Sequence, residues 1–416
     1  MPTGAGRDCR SMRRAGRRAP TYRAALAEPE FRTIFAASAV AITGSVVCAV
    51  ALTVLVFERT RSPLLSALTF ALGFVPYVFA GTLLSGIVDR VMPRRLLVCC
   101  NLGSAGLTAV MAIPRLPVPV LLVLLVSTST LTSVSSGAQG GLVRSAVPAD
   151  IYVPARSLLR IASQLAQVAG NAFGGLLLAV LTPAGAILVN SGAFTASALL
   201  VRFGLKPRPV AGVPDGTALV RDSLRGLRRV LAQAGVRRLL LLGWLVPMFA
   251  VAPEALAAPY VVGKGGSPAL VGWWLVALPV GMIAGDLLGV LGLSARRQRR
   301  VVGLAAGASF LPYLAFLANP GVGVAWLLLA AAGVCAMYSL GLDALVRQAV
   351  PERLFARTMA VSTAGLMTLQ GLGFALAGAL AQVTDPGRAI AAAGICGIAI
   401  VALLHPRAND LARQEA

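Results

Sequence analysis

The chain has 416 residues, 57% of them hydrophobic and only 12% charged, about half the charged share that a soluble domain uses to cover its surface. This excludes an ordinary soluble globule and makes a multi-span integral membrane protein the expectation. A net charge of +22 suits nucleic acid only when it forms a basic face on a soluble fold. Here the basic residues sit in short gaps between apolar runs, so no nucleic-acid partner is expected.

In chain order, residues 1–29 form an Arg-rich polar stretch. Arg13-Arg14 resembles a twin-arginine signal, but Glu28 and Glu30 separate it from an apolar run of full-span length, so the stretch is expected to be a cytoplasmic tail. Apolar runs of roughly 17–27 residues, the length that crosses ~30 Å of hydrocarbon, are then centred near residues 44, 76, 105, 130, 170, 194, 250, 280, 309, 333, 370 and 396. Helix is expected throughout, because lipid offers no partner to open backbone groups. Pro63, Pro93, Pro114, Pro117, Pro183, Pro268, Pro320 and Pro386 punctuate the gaps. With twelve spans and the N-terminus inside, only Arg59, Arg61, Arg115, Lys264 and Arg388 of the 37 Lys+Arg fall in outer segments. The positive-inside rule therefore predicts both termini in the cytoplasm of a multi-pass cell (inner) membrane protein, with the bilayer as its medium.

The predicted organisation is a tail at 1–29, a six-helix bundle at 30–204, a cytoplasmic linker at 205–236, a second six-helix bundle at 237–405 and a tail at 406–416. In the linker, Val220, Leu224, Leu227, Leu231 and Ala234 form a helical stripe decorated by Arg221, Arg225, Arg228 and Arg229, which reads as a basic amphipathic helix on the inner leaflet. The two bundles are tied together by a repeat. RSAVP at Arg144–Pro148 lies between spans four and five, and RQAVP at Arg347–Pro351 lies between spans ten and eleven. Gly170 and Phe173 match Gly371 and Phe374 at the same offset as the Ala-Arg pairs that follow each joint.

Two six-helix halves with parallel repeats are the plan of the major facilitator transporters. The loop after span two, GIVDRVMPRR at Gly86–Arg95, resembles that superfamily's signature Gly-x-x-x-Asp-Arg-x-Gly-Arg-Arg. Asp89, Arg90 and Arg94 match it, while Ser85, Met92 and Pro93 stand at the first Gly, the second Gly and the first Arg of the pair. The resemblance implies an all-α fold of twelve transmembrane helices in two bundles, and a gate in which Asp89 latches the cytoplasmic side against helix ends of the other half, near Arg357. A carboxylate at a helix C-terminus opposes the dipole and so calls for a partner. The alternative is that Arg90, Arg94 and Arg95 serve only topology.

Other stretches extend the resemblance over about residues 30–405. RSAVPADIYVPAR, ILVNSGAFTASALL at Ile187–Leu200 and APEALAAPYVVG at Ala252–Gly263 are similar to the drug-exporting subgroup that includes macrolide and siderophore exporters. GNAFGG at Gly170–Gly175 resembles the exporter-associated Gly-Pro-x-x-Gly-Gly, with Asn171 at the Pro; Gly170, Gly174 and Gly175 equally suit close helix packing. Span four keeps Gln139-Gly140 of the drug/proton exporters' Arg-x-x-Gln-Gly but has Ser136 for the Arg, so coupling through that arginine is not available.

Acids within spans are costly and hence candidates for function. Asp343 has Arg347 four residues on, which suggests an ion pair at a helix end. Asp286 reaches the Arg296–Arg300 cluster only if its helix end bends. Glu254 has no basic residue within seven positions and follows Pro253, which should break the helix and free a carbonyl. A carboxyl in low dielectric without a cation is suited to taking and releasing a proton, or to neutralising a cationic substrate; an outer-end contact with water or a gate position are the alternatives. Gln164, Gln167, Asn171, Gln370 and Tyr338 are candidates to line a cavity or to join helices.

Enzyme chemistry finds no support. The single histidine, His405, ends span twelve, the six cysteines are scattered without metal or disulfide spacing, and there is no His-Glu-x-x-His pair, nucleophile elbow or phosphate-binding glycine loop. No cofactor or metal is expected, and without an ATP site the energy must come from a gradient. The expectation is a monomeric secondary exporter of small hydrophobic or amphipathic compounds, an antiporter for drug or metabolite efflux by alternating access with protons as partner. A nutrient or metabolite importer on the same fold is the alternative; the few charged groups at mid-membrane favour export.

Overall fold

The computed structural model describes residues 22–79, 91–148, 151–206, 233–350 and 352–404. Among them every regular element is helical, and the helices fall where the apolar runs predict. Spans one to six are Pro29–Thr60, Pro63–Phe79, Pro93–Met111, Val118–Ala146, Tyr152–Val180 and Pro183–Gly204. Span seven is broken into Ala234–Ala250, Ala252–Ala255 and Ala257–Gly263. Span eight is Pro268–Gly292; span nine is Val302–Ala308, Leu311–Leu314 and the 3-10 turn Ala315–Ala318. Span ten is Val322–Cys335 and Tyr338–Ala349, followed by Glu352–Val383 and Pro386–Leu404. Pro29, Pro93, Pro183 and Pro268 stand in the first turn of their helices, where the missing N–H has no intrahelical partner to lose.

Among the described residues, eight helical stretches are long and apolar enough to cross a membrane, and Pro63–Pro76 and Val302–Ala318 are shorter apolar ones. Spans three and five are more polar for evident reasons: span three opens on Arg94 and Arg95, and span five carries Arg156, Arg160, Gln164, Gln167 and Asn171. Two short helices flank the bundle. Tyr22–Ala27 packs against spans one and five through the buried Ala25, and Ala295–Arg300 packs against span ten. The amphipathic stripe predicted at 220–234 lies almost wholly outside the described residues, as do Asp89 and Arg90.

The repeated joint is built twice in the same way. Span four ends at Ala146 and the first part of the fold turns at Val147, with φ −124 and ψ 146; span ten ends at Ala349 and turns at Val350, with φ −105 and ψ 124. A residue before proline is pushed out of the helical region into extended backbone, so Val-Pro stops each helix at the same place, and both valines are buried. The matched residues further on diverge in environment. Gly170 faces Val46 of span one, whereas Gly371 faces Phe74 of span two. Phe173 is exposed, whereas Phe374 is buried and stacked on Phe70 and Phe74 at 5.2 and 5.5 Å between centroids.

The halves meet chiefly at one end of the bundle, the end carrying Ser62, Lys264 and Gln382. There the apolar core is continuous from spans one, two and six into the second half, while the opposite end of the first half has a separate core built on Phe31, Leu96, Leu142 and Val143. Span two packs along span eleven, and span five along span eight. Ser62 Oγ donates to Gln382 Oε1 at 2.7 Å, and the Leu64 amide reaches the same oxygen at 3.4 Å, so a side chain of one half caps a helix of the other. Gly175 is so close to span eight that a Cβ there would lie 2.6 Å from the Ala269 carbonyl oxygen. Asn171 Nδ2 donates to the Leu275 carbonyl at 3.4 Å.

Candidate functional site

Span seven contains Pro247, Pro253 and Pro259, and its two breaks fall at Val251 and Leu256 on either side of Glu254. Broken helix leaves carbonyls without their i+4 amides, and two of these are taken up by neighbouring spans. The Tyr313 hydroxyl of span nine donates to the Ala250 oxygen at 2.9 Å, and the Trp274 indole N–H of span eight donates to the Pro253 oxygen at 2.8 Å. Both side chains are almost wholly buried. Trp274 also packs on Tyr260 at 4.8 Å, and Lys264 lies 4.9 Å above the Tyr260 ring while donating to the Asn319 and Pro320 carbonyls at 2.7 and 2.8 Å. The break is thus held open by a rigid aromatic scaffold.

Within that scaffold Glu254 stands apart. From Val251 to Val261 it is the one residue that is not buried. Among the described residues its carboxyl forms no ion pair or hydrogen bond. The titratable group within electrostatic reach is Tyr313, which in turn lies within reach of Tyr338. Tyr338 is buried at the start of the second piece of span ten, just after the break at Ala336 and Met337. A carboxyl on a partly buried residue within reach of one phenol, with no cation opposite among the described residues, can change protonation or accept a cationic group without breaking an existing pair.

The second group of candidates lies on span five. Gln164, Gln167 and Asn171, with Arg160, recur at helical spacing and share a face. Arg160, Gln164 and Gln167 are exposed, and Gln167 Nε2 donates to Gln164 Oε1 at 3.2 Å. Asn171 is half-buried at the contact with span eight. The glycines around it face two ways: Gly170 and Gly174 receive Val46 and Val50 of span one, and Gly175 receives span eight of the other half. Gln370 is half-buried on span eleven. Gln139 of the partial exporter motif donates to Ser38 Oγ and joins spans four and one.

The charged positions are distributed differently. Arg94 donates to the carbonyl of Arg202 at the end of span six, so its described contact lies within its own half, where a cation suits a helix C-terminus. Asp343 is exposed and lies within electrostatic reach of Arg160 on the other half as well as of Arg347 on its own helix. Asp286 is half-buried on a helix that continues unbroken to Gly292, without an ion pair or hydrogen bond among the described residues. Arg160 was missed as a site residue; its signal is the i, i+4, i+7 and i+11 register with Gln164, Gln167 and Asn171.

Twelve helices in two halves, joined at one end around polar cross-contacts and carrying lone acids within the spans, define a major facilitator transporter rather than an enzyme. The chain belongs to the transmembrane secretion effector family, whose model matches residues 21–415. It is similar to the uncharacterized MFS-type transporter YkuC of Bacillus subtilis (strain 168), at 24% identity over 63% of this chain and 64% of that protein. It is also similar to macrolide efflux protein A of Streptococcus pyogenes, at 25% identity over 66% and 68%. The chain spans about two thirds of the length of these two relatives. The enterobactin exporter EntS of Shigella boydii serotype 4 (strain Sb227) matches at 26% identity over 90% of this chain and 91% of its own. Among solved structures, a bacterial homolog to the human lysosomal transporter Spinster, inward-facing and occupied, superposes with TM-score 0.70 at 14% identity, over 92% of this chain and 96% of that one. This last likeness shows the fold.

Proposed function

We propose that the chain is a proton-coupled secondary exporter of small hydrophobic or amphipathic compounds, working as a monomer by alternating access in a bacterial inner membrane. Both termini lie in the cytoplasm, so the sealed Ser62–Gln382 end faces outward and the exposed part of the span five stripe faces inward. The observation that carries the coupling is Glu254: a reachable acid, without a cation among the described residues, in a span broken on both sides of it. The excess of Lys+Arg in the predicted inner segments supports the orientation. Resemblance to macrolide and siderophore exporters supports the direction and the cargo class. Asp89 acts as the inner latch that its motif implies, and 30–204 and 237–405 move as the two bundles about the linker at 205–236.

The test is reconstitution into liposomes with an imposed pH gradient and a panel of amphipathic compounds. Uptake into the lumen of inside-out-oriented protein should require the gradient and collapse with an uncoupler. Gradient-independent transport would contradict the coupling, and inward-only flux would reverse the direction.

A further inference from the structure

We propose that Arg160 of span five and Asp343 of span ten form a charge latch that closes the bundle at the end opposite the Ser62–Gln382 seal, with Asp286 of span eight facing the same gap. The proposal rests on the transporter reading and assigns to it a contact separate from the Asp89 motif. The resemblance sets that motif, between spans two and three, against span eleven, whereas this latch joins span five to spans eight and ten.

The placement follows from helix register. Spans five and eight are antiparallel and meet where Gly175 faces Ala269 and Gly272 and where Asn171 donates to Leu275. Each step back along span five therefore faces one step forward along span eight, and Arg160 comes level with the Asp286 turn. Spans eight and ten run parallel in close contact, with Gly281 against Ala330 and Gly285 against Val334. This places Asp343 a little over two turns beyond Asp286, toward the open end. Helical side chains lean toward their own N-terminus. For span five that direction is the open end, so the Arg160 guanidinium is carried from the level of Asp286 toward Asp343.

Electrostatics agree with the register. Asp343 lies within electrostatic reach of Arg160, across the halves, and of Arg347, one turn along its own helix. The Arg160–Asp343 pair is short of ion-pair contact. The face that carries Arg160 shows why. It is in contact at Gly175 and half-buried at Asn171, but exposed at Gln167, Gln164 and Arg160, so the two helices touch at the sealed end and part toward the charges. Rocking the halves together at the open end brings Arg160 onto Asp343, which then exchanges the neighbour on its own helix for one on the opposite half. Among the other described cations near this end, Arg156 on span five donates to the Tyr152 hydroxyl of its own helix at 3.4 Å, and Arg296, Arg297, Arg299 and Arg300 on the helix packed against span ten belong to the same half as Asp343 and do not bridge the gap.

The experiment uses the full chain in membrane vesicles, with the native cysteines replaced and a single reporter, Gln164→Cys, on the exposed stripe. Arg160→Asp and Asp343→Arg should each lower efflux about tenfold and raise labelling of the reporter by a maleimide applied from the inner side, as loss of one state-specific contact shifts the open–closed balance. The double exchange, Arg160→Asp with Asp343→Arg, should restore both readouts to within about threefold of the parent. A double exchange as impaired as the singles, at parental membrane levels, overturns the proposal. If a reversal fails to reach the membrane, Arg160→Gln and Asp343→Asn replace it, and unchanged labelling in either overturns the proposal equally. Labelling needs no cargo, so this result stands apart from whether export itself is demonstrated.

Discussion

Glu254 and Asp89 are both acids in an apolar chain, and the proposed function gives them different work. Glu254 sits between two backbone breaks beside Tyr313, with no cation among the described residues. Replacing it with Gln keeps size and polarity and removes the titratable oxygen. Glu254→Gln should leave expression and thermal stability close to wild type and remove the pH dependence of efflux. Full pH dependence in that variant, measured in vesicles across pH 6–8 (about the range over which a proton-coupled group must switch), would assign coupling elsewhere. If Asp89 is the latch that its motif implies, Asp89→Asn should fold normally and transport at least about tenfold more slowly, the effect of losing one conformation-specific contact. Wild-type rates would remove the latch role. Glu254 was readable as an acid within a span, where charge is rare, and Asp89 through the resemblance of its loop to the superfamily signature. The scaffold around Glu254 was not, since Trp274 and Tyr313 come from other spans and are indistinguishable in sequence from ordinary apolar residues.

Among the elements, spans five and eight decide how the halves separate. Gly175 allows the two backbones to approach, and any side chain there meets the Ala269 carbonyl. Gly175→Val should destabilise the sealed end by about 1–3 kcal/mol, the usual cost of overpacking, and lower the melting temperature in detergent. Gly140→Ala, where a Cβ would meet nothing within 4 Å, is the control and should be neutral or stabilising. Equal melting temperatures for the two variants would show that the close approach carries no strain. The GNAFGG stretch could be seen in sequence as packing or as an exporter signature. Its glycines turn out to serve two different neighbours, which depends on helix rotation and on a partner helix about a hundred residues away. The breaks in span seven were legible, because proline removes an amide wherever it stands. Those in spans nine and ten were only partly so: Pro312 marks the first, while the Ala336–Met337 break has no proline to announce it.

For the whole molecule, the sequence carries the architecture twice. Span lengths, basic loops and the RSAVP and RQAVP joints are consequences of local physics: hydrocarbon thickness, charge transfer across lipid and the restriction of a residue before proline. They place all twelve helices. The state of the bundle lies beyond such local signals, because whether the halves touch at one end or the other is a balance of a few contacts between distant segments. Here the contacts gather around Ser62–Gln382, Phe70–Phe374 and Gly175–Gly272, and the core divides at the other end. Alternating access requires these contacts to break in every cycle. The most direct measurement joins them covalently: Ser62→Cys with Gln382→Cys, in a background without native cysteines, bridged by a short thiol cross-linker in membranes. The account predicts rapid cross-linking in the absence of cargo and transport arrested by the bridge, with a reducible linker restoring it on reduction. A bridged protein that transports at the unbridged rate would contradict it.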